Sequence, residues 1–236
     1  MENGTPYFIE FIDVYKSFDD RKVLDGVSFG VRKGETFAIL GPSGVGKTVL
    51  LTHVVGLNKP DRGKIIVAGV DITNLGEDEL AKIRRKVQLV FQSGALFDSM
   101  TVWENVAFPL TDTGRADEEV ERRVAEKRAV AIARAVAAQP EAILYDEPTT
   151  MVDPLMSQTI NKLIRKMQRQ LGLTQMVVTH DIANCAEKVA DRVALLNEGK
   201  FVFIGTIEEL YASDHPVVKE FVEEDRIRFE QEKQPT

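Results

Sequence analysis

Thr36-Phe37-Ala38-Ile39-Leu40-Gly41-Pro42-Ser43-Gly44-Val45-Gly46-Lys47-Thr48 decides the fold. Thr36 to Leu40 is an apolar run of strand length, Gly41 to Gly46 is rich in glycine, and Lys47 to Val55 reads as a helix. Strand, loop and helix in that order predict an α/β unit. The loop and the two residues after it meet the pattern G-x-x-x-x-G-K-[ST], known as Walker A, at every fixed position. Its glycines let the backbone turn tightly enough for successive N–H groups to point at a phosphate, and the helix N-terminus adds a favourable field. Lys47 brings a positive charge to the β- and γ-phosphates, and the Thr48 hydroxyl is placed to ligate magnesium. Nucleotide binding is the strongest inference the residues allow.

A second run, Ala142-Ile143-Leu144-Tyr145-Asp146-Glu147, is an apolar strand ending in adjacent carboxylates. Ligands of α/β sheets bind at that C-terminal edge. Consecutive strand residues point to opposite sides, so the two carboxylates can take different jobs. Asp146 is expected to hold the magnesium shell and Glu147 to polarise the attacking water as general base.

Working outward, Tyr7 to Val14 alternates apolar and polar residues, and Val27 to Val31 follows the turn-like Asp25-Gly26, so the chain opens with antiparallel strands. Further short apolar runs lie at Lys64–Val67, Val87–Phe91, Met176–Val178 and Val193–Leu196. Helical or turn-rich stretches separate them, which predicts a sheet with helices on both faces. Between Gln92 and Pro140 the strands stop, and Glu118 to Ala138 reads as one long helix, the candidate helical subdomain. Val217 to Glu232 is helical and heavily charged, which reads as a solvated face, with a subunit contact as the alternative.

At 236 residues the chain has room for one main domain with a small subdomain attached. A formal net charge of -7 argues against a nucleic-acid partner and against electrostatic attachment to anionic lipid. The single cysteine, Cys185, fits a reducing compartment and reads as a buried small hydrophobe. The N-terminus lacks the basic and continuous apolar regions of a secretion signal, and no run approaches the roughly 20 apolar residues that span a bilayer. Any membrane contact is therefore expected through a partner subunit.

With these motifs in order, the chain resembles the ABC ATPases over nearly its whole length. Phe18 matches the aromatic that stacks on adenine, Gln92 the Q-loop glutamine, Asp153 the D-loop aspartate and His180 the switch histidine; Thr52 joins the nucleotide-binding set. The resemblance implies a P-loop NTPase core with an N-terminal antiparallel β-subdomain over residues 1–92 and 140–215, a helical subdomain over 93–139 and a C-terminal helical tail over 216–236. It also implies ATP and magnesium as cofactors, with His180 on the γ-phosphate and Gln92 linking magnesium and the attacking water to a permease. Asp153 would join the two sites of a homodimer, placed in the cytoplasm on the inner face of the plasma membrane.

Phe91-Gln92-Ser93-Gly94-Ala95-Leu96-Phe97-Asp98-Ser99-Met100-Thr101-Val102, continuing through Glu104 to Leu110, looks like the Mla (Mce-associated) lipid-transport ATPases. That likeness implies an MlaE-like permease, an Mce-domain protein and phospholipid or another lipid as cargo. An importer ATPase for amino acids or metals is the alternative. Two departures from the ABC pattern stand out. Met151-Val152 precedes Asp153 where the family usually has Gly-Leu, and the Leu-Ser-Gly-Gly signature is missing. Arg128 to Ala138 matches the helix that follows the signature, so a segment is expected to belong between about Glu126 and Ala129. A true deletion there would instead favour a nucleotide-binding module without turnover.

Overall fold

A computed structural model describes residues 6–92, 127–150, 152 and 154–232. The chain begins with β1 (Tyr7–Phe18), β2 (Arg21–Arg32), β3 (Thr36–Leu40), α1 (Lys47–Val54), β4 (Arg62–Val67), β5 (Val70–Asp71), α2 (Glu77–Lys86) and β6 (Val87–Val90). After the undescribed residues come α3 (Lys127–Ala137), β7 (Ala142–Asp146), α4 (Pro154–Leu171), β8 (Thr174–Thr179), a π-helical turn (Ile182–Ala186) and α5 (Glu187–Val189). β9 (Arg192–Asn197), β10 (Lys200–Gly205), α6 (Ile207–Tyr211) and α7 (Pro216–Glu232) complete it.

Among the described residues the strands form two sheets. One is antiparallel, in the order β2-β1-β4-β5, and the other has six strands in the order β10-β9-β3-β8-β7-β6. β3, β7 and β8 are buried at every residue, as expected for parallel strands covered on both faces. Their alternation sorts the core into two layers. Phe37, Ile39, Leu144, Met176 and Val178 face a cluster shared with the antiparallel sheet and α1, while Ala38, Leu40, Ile143, Tyr145 and Val177 face α3, α4 and α7.

The first two strands run well beyond the stretches predicted for them. Their pairing slips between Phe11 and Val14 and again between Val14 and Tyr15, so the period-two signal is lost while the ladder continues. Asp25-Gly26, predicted as a turn, lies inside β2. Val14 pairs with Val27 and Tyr15 with Asp25, which leaves Gly26 as the extra residue of a bulge at φ 73°.

α7 corrects the expectation of a solvated face. Val218, Phe221 and Asp225, spaced as one helix face, are buried, and the two apolar residues join the second core layer. Charge dominates the composition of this helix, but its one docked stripe decides its role. Cys185 is buried as expected, and burial pushes its thiol up to about 12. Of the long helix predicted over Glu118 to Ala138, α3 is the described part. The stretch that suggested lipid transport beyond Gln92, the Glu126 side of the junction where a further segment is expected, and Asp153 lie outside the described residues.

The register fixes the site. Leu40 at the end of β3 lies beside Thr179 of β8, and Asp146 at the end of β7 lies beside Val178. The glycine-rich loop, His180 and Glu147 therefore leave one edge of the sheet side by side.

Candidate active site

Gly41 follows β3 at φ 153°, where a Cβ would stand 2.5 Å from the carbonyl oxygen of Leu196. Gly46 closes the loop at φ 113°, with a Cβ position 2.6 Å from Val23. Both positions need glycine for conformation and for space. Ser43, Gly44, Gly46, Lys47 and Thr48 line a cleft of about 400 Å³, with Gln92, Glu147 and His180 among the residues opposite. Sequence reasoning named every one of these.

The Lys47 ammonium donates to the carbonyl oxygens of Gly41 at 2.6 Å and Pro42 at 3.0 Å, and stands 3.3 Å from Glu147 Oε1. Burial pulls its pKa down against the pull of the Glu147 charge, and the charge of Arg228 adds to the lowering. The Thr48 hydroxyl donates to both Asp146 oxygens, at 3.0 and 3.1 Å.

Glu147 is the strained residue of the site. As the chain leaves β7 it takes φ 48°, a left-handed conformation that costs a non-glycine residue roughly 1–3 kcal/mol. Its N–H donates to the Val178 carbonyl at 2.9 Å, which fixes the reversal. Its carboxylate then meets Lys47, the Thr150 hydroxyl at 2.9 Å and His180 Nδ1 at 3.0 Å.

The adjacent carboxylates separate electrostatically. Burial pushes Asp146 up, and the Thr48 hydrogen bond opposes this only in part. For Glu147 burial pushes up as well, but the hydrogen bond from His180 and the charge of Lys47 outweigh it and hold the carboxyl below its ordinary value. Neighbouring groups driven in opposite directions are a mark of divided acid–base roles. Glu147 is kept ionised and able to accept a proton, while Asp146 carries a charge that its surroundings leave incompletely matched.

The remaining predicted residues fall around this centre. Pro42 is exposed on the loop, and Val45 is half-buried against the first core layer. Phe18, 41% exposed, pairs with Arg21 across the β1–β2 hairpin, and the Lys16 ammonium lies 5.2 Å from its ring centroid. Arg21 itself lines the cleft and donates to the Gly44 carbonyl at 2.9 Å, which puts Phe18 at the rim. Thr52 does not join the cleft. Its hydroxyl donates to the Val49 carbonyl and accepts from Asn58, closing the end of α1. Sequence reasoning missed Arg21 and Thr150. The position of Thr150, three residues beyond the predicted base, was the one available signal.

A profile of the ABC transporter family matches residues 24–150. The methionine import ATP-binding protein MetN of Carboxydothermus hydrogenoformans is 38% identical, over 85% of this chain and 66% of its own length. MetN 2 of Rhodococcus jostii is 36% identical over 91% and 71%. Among solved structures, the dimeric ATP-binding cassette MJ0796 bound to ADP and phosphate superposes with a TM-score of 0.74 at 30% identity, covering 84% of this chain and 98% of that one. CbiO1 of Clostridium perfringens, part of the ABC transporter complex cbiONQ, gives 0.76 at 28% identity, covering 97% and 100%.

Proposed function

The chain belongs to the ABC transporter family, and from that premise we propose that it is the ATPase of an importer for a small solute, with methionine as the candidate cargo. The relatives named as methionine importers support this reading. They do not carry the lipid-transport assignment or its MlaE-like and Mce partners. The subunit pairs with a second ATPase and with a membrane permease. No helix among the described residues is long and apolar enough to cross a membrane, in keeping with a peripheral position beneath that permease.

One observation carries the chemistry. The Glu147 carboxylate is held by Lys47, His180 and Thr150 at the mouth of the phosphate loop. There it accepts the proton of a water that attacks the γ-phosphorus, the bond to the β-phosphate oxygen breaks, and ADP and phosphate result. Lys47 neutralises charge on the β- and γ-phosphates, and His180 contacts the γ-phosphate. Magnesium bound with the nucleotide would offset the negative charge of the phosphates. Thr48 and Asp146 would hold it, with Gln92 beside them. They offer hard oxygen donors, and the upward push on Asp146 marks a carboxylate that a cation would satisfy.

The test is Glu147→Gln in the assembled transporter. Turnover is expected to fall at least about 100-fold with ATP affinity retained, because the amide cannot take the proton. Labelled methionine uptake by cells carrying this variant is expected to stop. Normal uptake together with an altered envelope phospholipid composition would return the cargo to the lipid class.

A further inference from the structure

We propose that α7 is a positioning element for the switch histidine, acting through Asp225 and Arg228, which grip the backbone from His180 to Ala183. The inference rests on the reading of His180 as the γ-phosphate contact.

Four successive N–H groups follow His180, and each has a side-chain acceptor. Asp181 donates to the Thr179 hydroxyl at 3.1 Å and Asn184 to the Asp181 carboxylate at 2.7 Å. These two partners are local and come with the segment. Ile182 and Ala183 instead donate to the two oxygens of Asp225, at 3.0 and 3.2 Å, from 43 and 42 residues away. One helical turn further along α7, the Arg228 guanidinium donates to the carbonyl oxygen of His180 itself at 3.3 Å.

The helix is built for this contact. Val218, Phe221, Asp225 and Arg228 fall on one face at intervals of three and four residues, so the apolar pair that docks α7 also aims the polar pair at the switch. Asp225 is 5% exposed, and burial pushes its carboxyl up. A carboxylate placed there at such a cost points to a demand beyond holding two strands of chain together. The backbone it grips is also unusual: Ile182 to Ala186 is a π-helical turn, a rare geometry that concentrates at functional sites. His180 Nδ1 meets Glu147 Oε2 at 3.0 Å, so a small shift of this backbone moves the imidazole relative to the base.

The experiment uses Asp225→Ala, Asp225→Asn and Arg228→Ala. Imidazole resonances are recorded on histidine-labelled protein, with His53 and His215 as internal references, beside nucleotide affinity, kcat and KM. In Asp225→Ala and Arg228→Ala the His180 resonances are expected to move while those of His53 and His215 stay. Nucleotide affinity should hold within about threefold, while kcat falls about tenfold or more without a matching rise in KM. Asp225→Asn should fall between these and wild type, because its amide oxygen still accepts one of the two N–H bonds. Unmoved His180 resonances with kcat within twofold of wild type would overturn the inference. So would a loss of melting temperature with kcat and KM changed in proportion. If Asp225→Ala does not fold, Arg228→Ala decides, since it removes a donor and leaves the buried carboxylate in place. Absence of turnover in wild type would defeat the ATPase reading alone, and the imidazole spectra would still decide whether α7 positions His180.

Discussion

The phosphate loop and the switch segment leave the same sheet edge, yet they are built in opposite ways. Gly41 to Thr48 is one contiguous stretch whose shape comes from its own glycines and from the helix that follows. The switch is assembled from afar: His180 reaches Glu147 across 33 residues, and its flanking backbone is held from α7 across more than 40. Nucleotide binding thus resides in local sequence, and hydrolysis in tertiary contact. A loop made of neighbours can lose one side chain and lose its ligand, whereas an assembled site can keep its ligand and lose its rate.

Four substitutions test that contrast. Lys47→Ala is expected to have the largest effect, reducing ATP affinity about 100-fold or more, since it removes a charged donor to two phosphates and the cation beside the Glu147 carboxylate. Fluorescent-nucleotide titration measures it, and an unchanged affinity would remove the loop as the binding element. His180→Ala should leave that affinity within a few fold while lowering kcat roughly 10- to 100-fold, read in a steady-state phosphate-release assay. An equal loss of binding would break the division between the two regions.

Thr150→Val is the finer probe. It deletes the Thr150 hydroxyl's hydrogen bond to the ionised Glu147 carboxylate, about 1.5–3 kcal/mol, which the remaining partners Lys47 and His180 offset in part, so kcat should drop about two- to tenfold with KM unchanged. Thr52→Val should do least to function. Its hydroxyl serves the end of α1, so thermal unfolding should register about 1 kcal/mol while nucleotide affinity stays within twofold. A tenfold loss of affinity there would return Thr52 to the binding set.

Legibility followed the same division. The loop, the Asp146-Glu147 pair and the positions of the parallel strands along the chain could be read directly, because each depends on short-range periodicity or on contiguous residue types. β1 and β2 were read short because bulges shift the alternation without ending the ladder. α7 was read as solvated because its charged residues outnumber the stripe that docks, and one-dimensional composition does not say which face meets the core.

The sequence by itself determined that a phosphate-binding loop joins β3 to α1 and that two carboxylates end β7, because glycine conformation and strand length act over a few residues. Only the tertiary structure decided that Glu147 takes φ 48° between Lys47, Thr150 and His180, that its carboxyl is held down while that of Asp146 is pushed up, and that Asp225 and Arg228 reach the switch. The physical reason is that a group's field and burial are set by neighbours in space, and in this site such neighbours as Lys47 and Glu147 stand 100 residues apart along the chain.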